Sequence, residues 1–384
     1  MREYFEFYNG AKINCGESAL MTLGTELARL GSSAPFVLSS ATATKLGATD
    51  KVRAALSAGD VARVTYYENL PQTANTAIAR EIKNTYISEN CDSIVVVGGD
   101  AAIDIAKCAR FLLAQSTEDI MPLAADTPPI VNVPLIAIPT ENGSGKEASG
   151  YLSLEGNYLS SASLIPNVVI IDEIIAATAP TRTTAACGAY ALANAIESYL
   201  STDQNISEVF AEKAIRLLAK NLEKTVKDSE EKSACRATAL AATLAGIAYG
   251  NTQCGAAHAL AEGLAIVTEE PIEEMFCITL IPSIKAARRS YDDKVKQLLY
   301  LFCGANAYAE TPDSERSTRA IEEISAFLDR LHISANIPTK ISQTKIARED
   351  FGKIAKEAAN QRSAITAFDP ITAERFLELL NEAY

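Results

Sequence analysis

Four short, nearly continuous apolar runs recur along the first half of the chain: APFVLSS from Ala34, SIVVVGG from Ser93, PLIAIPT from Pro134 and NVVIID from Asn167. Strands this uniformly apolar have no face to give to water. They belong in a parallel sheet covered by helices on both sides. The intervening segments fit that demand. DKVRAALSAG, TANTAIAREIKNTYISEN and AAIDIAKCARFLLAQ carry helical patterning, and VARVTYY reads as a further strand.

From about Pro180 the pattern changes. TAACGAYALANAIESYL, SEVFAEKAIRLLAKNLEKTV, CRATALAATLAGIAYGN and RAIEEISAFLDRLH are all helical, and TAERFLELLNEAY closes the chain as a helix opened by a Thr cap. The sequence therefore predicts an α/β domain over residues 1–178 and an all-helical domain over 179–384. A cleft between two such domains is a common cofactor site.

A formal net charge of −13 argues against a general nucleic-acid surface. No apolar run reaches the ~18–20 residues needed to span a bilayer. The opening MREYFEFYNGAKINCG has no apolar signal core. The expected location is thus cytoplasmic, with no membrane and no nucleic-acid partner. None of the eight cysteines forms a C-x-x-C pair, so they are expected to be reduced and mostly buried. Only two histidines occur, His258 and His332, which limits metal and acid–base chemistry.

The stretch VVVGGDAAIDIAK, Val95–Lys107, joins a strand to a helix through two glycines. That geometry ordinarily presents free N–H groups and a helix dipole to a phosphate. Asp100 places a carboxylate at the same point. As a helix N-cap it would take those donors for itself and repel an anion.

Several segments together resemble the iron-containing alcohol dehydrogenase family, with its glycerol dehydrogenase-like and maleylacetate reductase-like members. INCGESALMTLGTELARLG resembles its opening strand and first helix. GGDAAIDIAK is similar to its glycine-rich phosphate loop, and IPTENGSGKEAS to its second polar loop. GAYALANAIESY and CGAAHALAEGLA resemble its two ligand-bearing helices. The resemblance covers nearly the whole chain. It implies a dinucleotide-binding domain followed by a helical one, the architecture shared with dehydroquinate synthase-like proteins. It further implies NADP or NAD as cofactor, a small-molecule substrate, and a homodimer formed through the N-terminal domain.

Residue by residue, the chain departs from that pattern. The resemblance places a metal-binding Asp and His four apart on one helix, where one face carries both. Here those positions hold Tyr190 and Asn194. The third ligand position matches His258. The fourth falls at Glu273, counting back from LIP, and Glu262 replaces the second histidine of the His-x-x-x-His pair. Tyr, Asn, His and Glu make a poor iron or zinc site. No tightly held metal is expected, with His258 and Glu273 as the residual candidates. His258 is then a packed, hydrogen-bonded remnant of the family site, or a catalytic group beside Tyr190.

On the nucleotide side the resemblance assigns Gly98, Gly99, Asp100, Asp104, Thr140, Ser144 and Lys146 to cofactor binding. Lys146 either offsets the charge of Asp100 or is solvated. Ser40 stands where NAD-preferring members carry an Asp that meets the ribose 2′-hydroxyl, so NADP is tolerated; the alternative is a plain turn residue. Two functions follow. One is an NAD(P)-dependent carbonyl reductase or alcohol dehydrogenase working without a tightly bound metal, through Tyr190 and His258. The other is a degenerate, non-catalytic or regulatory member with weakened nucleotide binding.

Overall fold

The computed structural model describes residues 5–117, 132–141, 143–155, 157–201, 206–253, 255–365 and 367–384. The chain divides into an α/β unit, Tyr8–Ala179, and a helical unit built on Pro180–Tyr384. Phe7 belongs with the helical unit, stacked on Phe210 with ring centroids 5.3 Å apart.

In the α/β unit the strands are β1 (Lys12–Cys15), β2 (Pro35–Ser40), β3 (Thr65–Leu70), β4 (Ser93–Gly98), β5 (Leu135–Pro139) and β8 (Val168–Ile171), with a separate hairpin of β6 (Tyr151–Leu154) and β7 (Asn157–Ser160). The six form one sheet in the order β1-β8-β5-β4-β2-β3, every pair parallel. The helices are α1 (Leu23–Arg29), α2 (Ala41–Lys45), α3 (Ala48–Ala58), α4 (Thr76–Ser88), α5 (Asp100–Gln115) and α6 (Glu173–Ala176).

The strands alternate sides with period two, and each set has its own core. Phe36, Leu38, Ile94, Val96, Leu135 and Ala137 pack with Ile82, Ile103 and Phe111 from α4 and α5. Val37, Val95, Val97, Ile136, Ile138 and Ile170 pack with Leu23, Leu27, Val52 and Leu56 from α1 and α3 and their approaches. Burial on both faces is why these strands carry no polar alternation. Strand β3 is an edge, and its Thr, Tyr and Glu residues are only half-buried. It begins at Thr65 rather than at Val61 as the sequence suggests. Pairing with β2 sets the register, Phe36 against Thr65 and Ser40 against Leu70, which leaves Val61 and Val64 to pack beside the core.

The helical unit contains α7 (Thr181–Ser201), α8 (Ile206–Lys227), α9 (Lys232–Tyr249), α10 (Ala256–Thr268), α11 (Ile272–Cys303), α12 (Ala305–Glu310), α13 (Arg316–Ala335), α14 (Phe351–Asn360), α15 (Arg362–Ile365) and α16 (Ala373–Glu382). Helix α7 is buried on all sides from Thr184 to Leu200, and its alanines let neighbours approach closely. At Gly188 a Cβ would run into the Leu222 side chain of α8. Thr372 caps α16 by accepting the Arg375 N–H at 3.3 Å. The seven described cysteines are free thiols. Cys108, Cys187, Cys235 and Cys277 are buried and Cys15 is exposed; Cys254 lies outside the described residues. No described helix is long and apolar enough to cross a membrane.

Candidate functional site

Strand order reverses between β2 and β4, whose carboxyl ends lie side by side, Ser39 opposite Val97. Ligands of open parallel sheets bind at such a point. Ser40 and Gly98 stand there as neighbours: a Cβ on Gly98 would come 3.3 Å from the Ser40 side chain. It would also come 2.7 Å from Ala102 Cβ, so Gly98 lets α5 close onto its own strand. Ser40 accepts the Ala43 N–H at 3.0 Å and caps α2, so it is a turn residue with a structural task.

The cap expected at Asp100 is not made. Gly99, in extended conformation, is the cap residue, and Asp100 is the first residue of α5. Its carboxylate is turned sideways, accepting Ser144 Oγ at 2.5 Å and standing 3.8 Å from Lys146 Nζ. The carboxylate on the glycine turn is instead Glu141, from the loop after β5. A Cβ at Gly99 would land on it. Thr140 brings that loop into place, donating its N–H to the Gly98 carbonyl at 3.2 Å.

Asp100, Asp104 and Lys107 recur at i, i+4 and i+7, on one side of α5. Each holds the loop that follows Thr140. Asp104 Oδ2 receives Lys146 Nζ at 2.5 Å and the Ser153 N–H at 3.3 Å. Lys107, fully buried, donates to the carbonyls of Lys146, Ser149 and Tyr151 at 2.7, 2.8 and 2.7 Å. Burial pulls Lys107 down to about 7, against the pull of the Asp104 carboxylate. Burial likewise raises Asp104, opposed by Lys146 and Lys107. Lys146 is therefore not solvated; it neutralises Asp104 first and Asp100 second.

In the helical unit Tyr190 and His258 are brought together. Tyr190 stacks on Phe276 at 4.1 Å and 11°, and its ring centroid lies 6.1 Å from that of His258. His258 stacks on Tyr249 at 4.5 Å and meets Phe276 edge-on at 4.7 Å. All four rings are buried. Asn194 lies one turn beyond Tyr190, also buried. The next residue on that face of α7 is Glu197, which the sequence reading passed over, although Tyr190, Asn194 and Glu197 share the i, i+4, i+7 spacing. Glu197 bonds His258 Nδ1 and accepts the N–H groups of Gly255 and Ala257 at 3.0 and 2.6 Å. It thereby caps α10, a favourable place for a carboxylate. A Cβ on Gly255 would press on that carboxylate and on Phe368.

Glu262, one turn beyond His258, accepts from Ser363 Oγ, and Glu273 opens α11. Among the described residues no three His, Cys, Asp or Glu side chains meet in a group able to hold a metal. His258, Glu262 and Glu273 thus form no such group.

A six-stranded parallel sheet with a glycine turn at its crossover, followed by a helical unit, defines an α/β protein with an all-α second half. The chain matches the model of the iron-containing alcohol dehydrogenases over residues 10–173, and that of the Fe-containing alcohol dehydrogenase family C-terminal region over 184–384. It belongs to the iron-containing alcohol dehydrogenase family. It is 28% identical over 359 residues to long-chain-alcohol dehydrogenase 1 of Geobacillus thermodenitrificans (strain NG80-2), covering 90% of this chain and 88% of that protein. The crystal structure of a 1,3-propanediol oxidoreductase superposes with TM-score 0.89 at 24% identity, covering 100% of both chains. Sulfoacetaldehyde reductase from Bifidobacterium kashiwanohense, in complex with NAD+, superposes with TM-score 0.84 at 18% identity, covering 99% of this chain and 98% of that one.

Proposed function

We propose that the protein is an NAD(P)-dependent oxidoreductase that interconverts an alcohol and its aldehyde or ketone. The observation that carries this reading is the family match over both units. The relatives are named for alcohol or aldehyde chemistry, and the degenerate, non-catalytic alternative is not favoured. The reading includes a small-molecule substrate, a homodimer and a cytoplasmic location.

Gly98 and Gly99 fit a dinucleotide phosphate with Glu141 turned aside, and Ser40 leaves room for either NAD or NADP. The nicotinamide supplies or accepts the hydride. Ser40, Gly98, Gly99, Asp100, Asp104, Thr140, Ser144 and Lys146 remain the assigned cofactor residues. Of these, Asp104 and Lys146 act by shaping the loop, since each is spent on the other.

The donor set does not fit iron or zinc. Two of the four ligand positions are Tyr190 and Asn194, and His258 is packed between aromatic rings. A developing alkoxide then needs a positioned hydrogen-bond donor in a dry site. The Tyr190 hydroxyl is that donor in this reading, and His258 shares the proton.

The test is a panel of alcohols, aldehydes and ketones with NAD(H) and NADP(H), in the presence of chelator, on wild type and Tyr190→Phe. Turnover that resists chelator and collapses in the variant supports the reading. Turnover that survives the substitution removes Tyr190 from the chemistry. Neither turnover nor nucleotide binding in the wild type restores the non-catalytic alternative.

A further inference from the structure

A narrow pocket opens within the helical unit, among α7, α10, α11 and residues 368–371 between α15 and α16. Its space, mouth included, is about 310 Å³, at the small end for ligand pockets. Ile196 and Leu200 of α7 form one wall. Leu280, Ser283, Ile284 and Ala287 form another, at i, i+3, i+4 and i+7, the spacing of one face of α11. Phe368, Asp369 and Ile371 are half-buried, so the pocket opens on their side. Tyr291, at the kink of α11, holds that side in shape. Its hydroxyl donates to the Phe368 carbonyl at 3.0 Å, and its ring meets the Phe368 ring edge-on at 5.3 Å.

Two polar groups of the lining have no partner. Ser283 is 5% exposed, and its Oγ makes no hydrogen bond. Buried hydroxyls on neighbouring helices behave differently. Thr225 and Thr243 donate to the carbonyls of Asn221 and Ala239, one turn back, at 3.1 and 3.3 Å. A buried hydroxyl left bare on an otherwise apolar face calls for a physical reason. The second group is Asp369. Among the described residues it meets no cation and no hydrogen-bond donor, and burial raises its carboxyl with nothing opposing.

The lining selects by charge. Asp369 and Glu197 are both acidic, and no Lys, Arg or His stands among the described lining residues, which disfavours an anion. Glu197 is already engaged by the N–H groups of Gly255 and Ala257 and by His258. Asp369 and Ser283 are left as acceptors. Two such groups among apolar side chains are too few for a hard metal ion, which takes about six oxygens or more. The single ring of Phe368 makes no aromatic cage for a quaternary ammonium. A neutral alcohol leaves the Asp369 charge unpaired. A primary ammonium on a short alkyl chain meets every group: its N–H donors serve Asp369 and Ser283, and its methylenes lie against Ile196, Leu200, Leu280 and Ile284.

We propose that this pocket binds a short primary alkylammonium ion, with Asp369 as its countercharge and Ser283 Oγ as a hydrogen-bond acceptor. The inference stands apart from the oxidoreductase reading and needs no turnover for its test.

The test is a titration of the whole chain, labelled with carbon-13 at its isoleucine methyl groups, with n-butylammonium chloride against a sodium chloride blank. Saturable binding with a Kd of about 1 mM is expected for so small a ligand. The methyls of Ile196, Ile284 and Ile371, assigned through single Ile→Val variants, should shift together. Asp369→Asn should weaken binding about tenfold, and Ser283→Ala about threefold. Thermal unfolding checks that both variants remain folded. n-Butanol and butyrate should bind wild type at least about tenfold more weakly than the ammonium ion, since neither pairs the Asp369 charge. Absence of saturable binding to wild type overturns the proposal. So does binding that leaves those three methyls unmoved, or an unchanged affinity in either folded variant. Butanol binding as tightly as butylammonium also overturns it, because the pocket would then read only the alkyl chain.

Discussion

Lys146 Nζ stands 2.5 Å from Asp104 Oδ2, and both side chains are withdrawn from solvent. The pair ties the loop after β5 to the middle of α5. Beside it, Asp100 holds Ser144, and Lys107 holds three carbonyls of the same stretch. The loop beside the glycine turn is therefore pinned by a row of side chains on one helix face. Two of the three, Asp100 and Asp104, stand at positions that the family resemblance assigns to cofactor binding.

Lys107→Met should destabilise the α/β unit by about 3 kcal/mol, because three buried carbonyls lose their donor. The pH dependence has a definite sign. Burial lowers the Lys107 amine from 10.5 to about 7 in the folded chain. Between those values the unfolded chain binds the extra proton. Stability then rises with pH across that window, and the charged amine is held at a cost below it. Urea unfolding of both proteins across the window checks this: wild type should gain on Lys107→Met as pH rises, by less than about 1.4 kcal/mol per pH unit.

Glu141→Thr should tighten NAD(P)H binding about fivefold, an effect of roughly 1 kcal/mol from removing a like charge beside the helix N-terminus. Asp100→Gly should do less. Its carboxylate is already engaged by Ser144 and shadowed by Lys146. Calorimetric titration of both variants separates them. A larger gain in Asp100→Gly would show that Asp100, not Glu141, opposes the phosphate.

Protein purified without chelator should carry no stoichiometric iron or zinc, since Tyr190 and Asn194 stand in two ligand positions. Elemental analysis gives the answer. One tight metal ion per chain would return His258 and Glu273 to the ligand set.

Gly188→Ala should cost about 1–3 kcal/mol, because the added methyl meets the Leu222 side chain across the contact of α7 with α8. Gly98→Ala should cost a similar amount through Ala102. Thermal unfolding of each against wild type measures both. An unchanged midpoint in Gly188→Ala would mean that Leu222 has room to turn away.

The sequence by itself determined the architecture, because that information is local and repetitive. Apolar runs such as SIVVVG and VVII have no polar face, which forces a sheet covered on both sides. The alanine-rich segment around Tyr190 carries few β-branched residues and no strand-like alternation, which makes it a helix. The glycine turn, the Thr372 cap and the departures at Tyr190 and Asn194 were also legible, since each depends on residue type at one position. What only the tertiary structure decided was which charged groups meet. The carboxylate over Gly99 comes from Glu141, about forty residues away in sequence, and Asp100 turns to Ser144 instead of capping its helix. Glu197 reaches His258 across a gap of 61 residues. Side chains this distant in sequence become partners only when helices and strands are packed. Their partners decide whether a carboxylate caps, pairs or positions, which is why residue type alone could not assign those tasks.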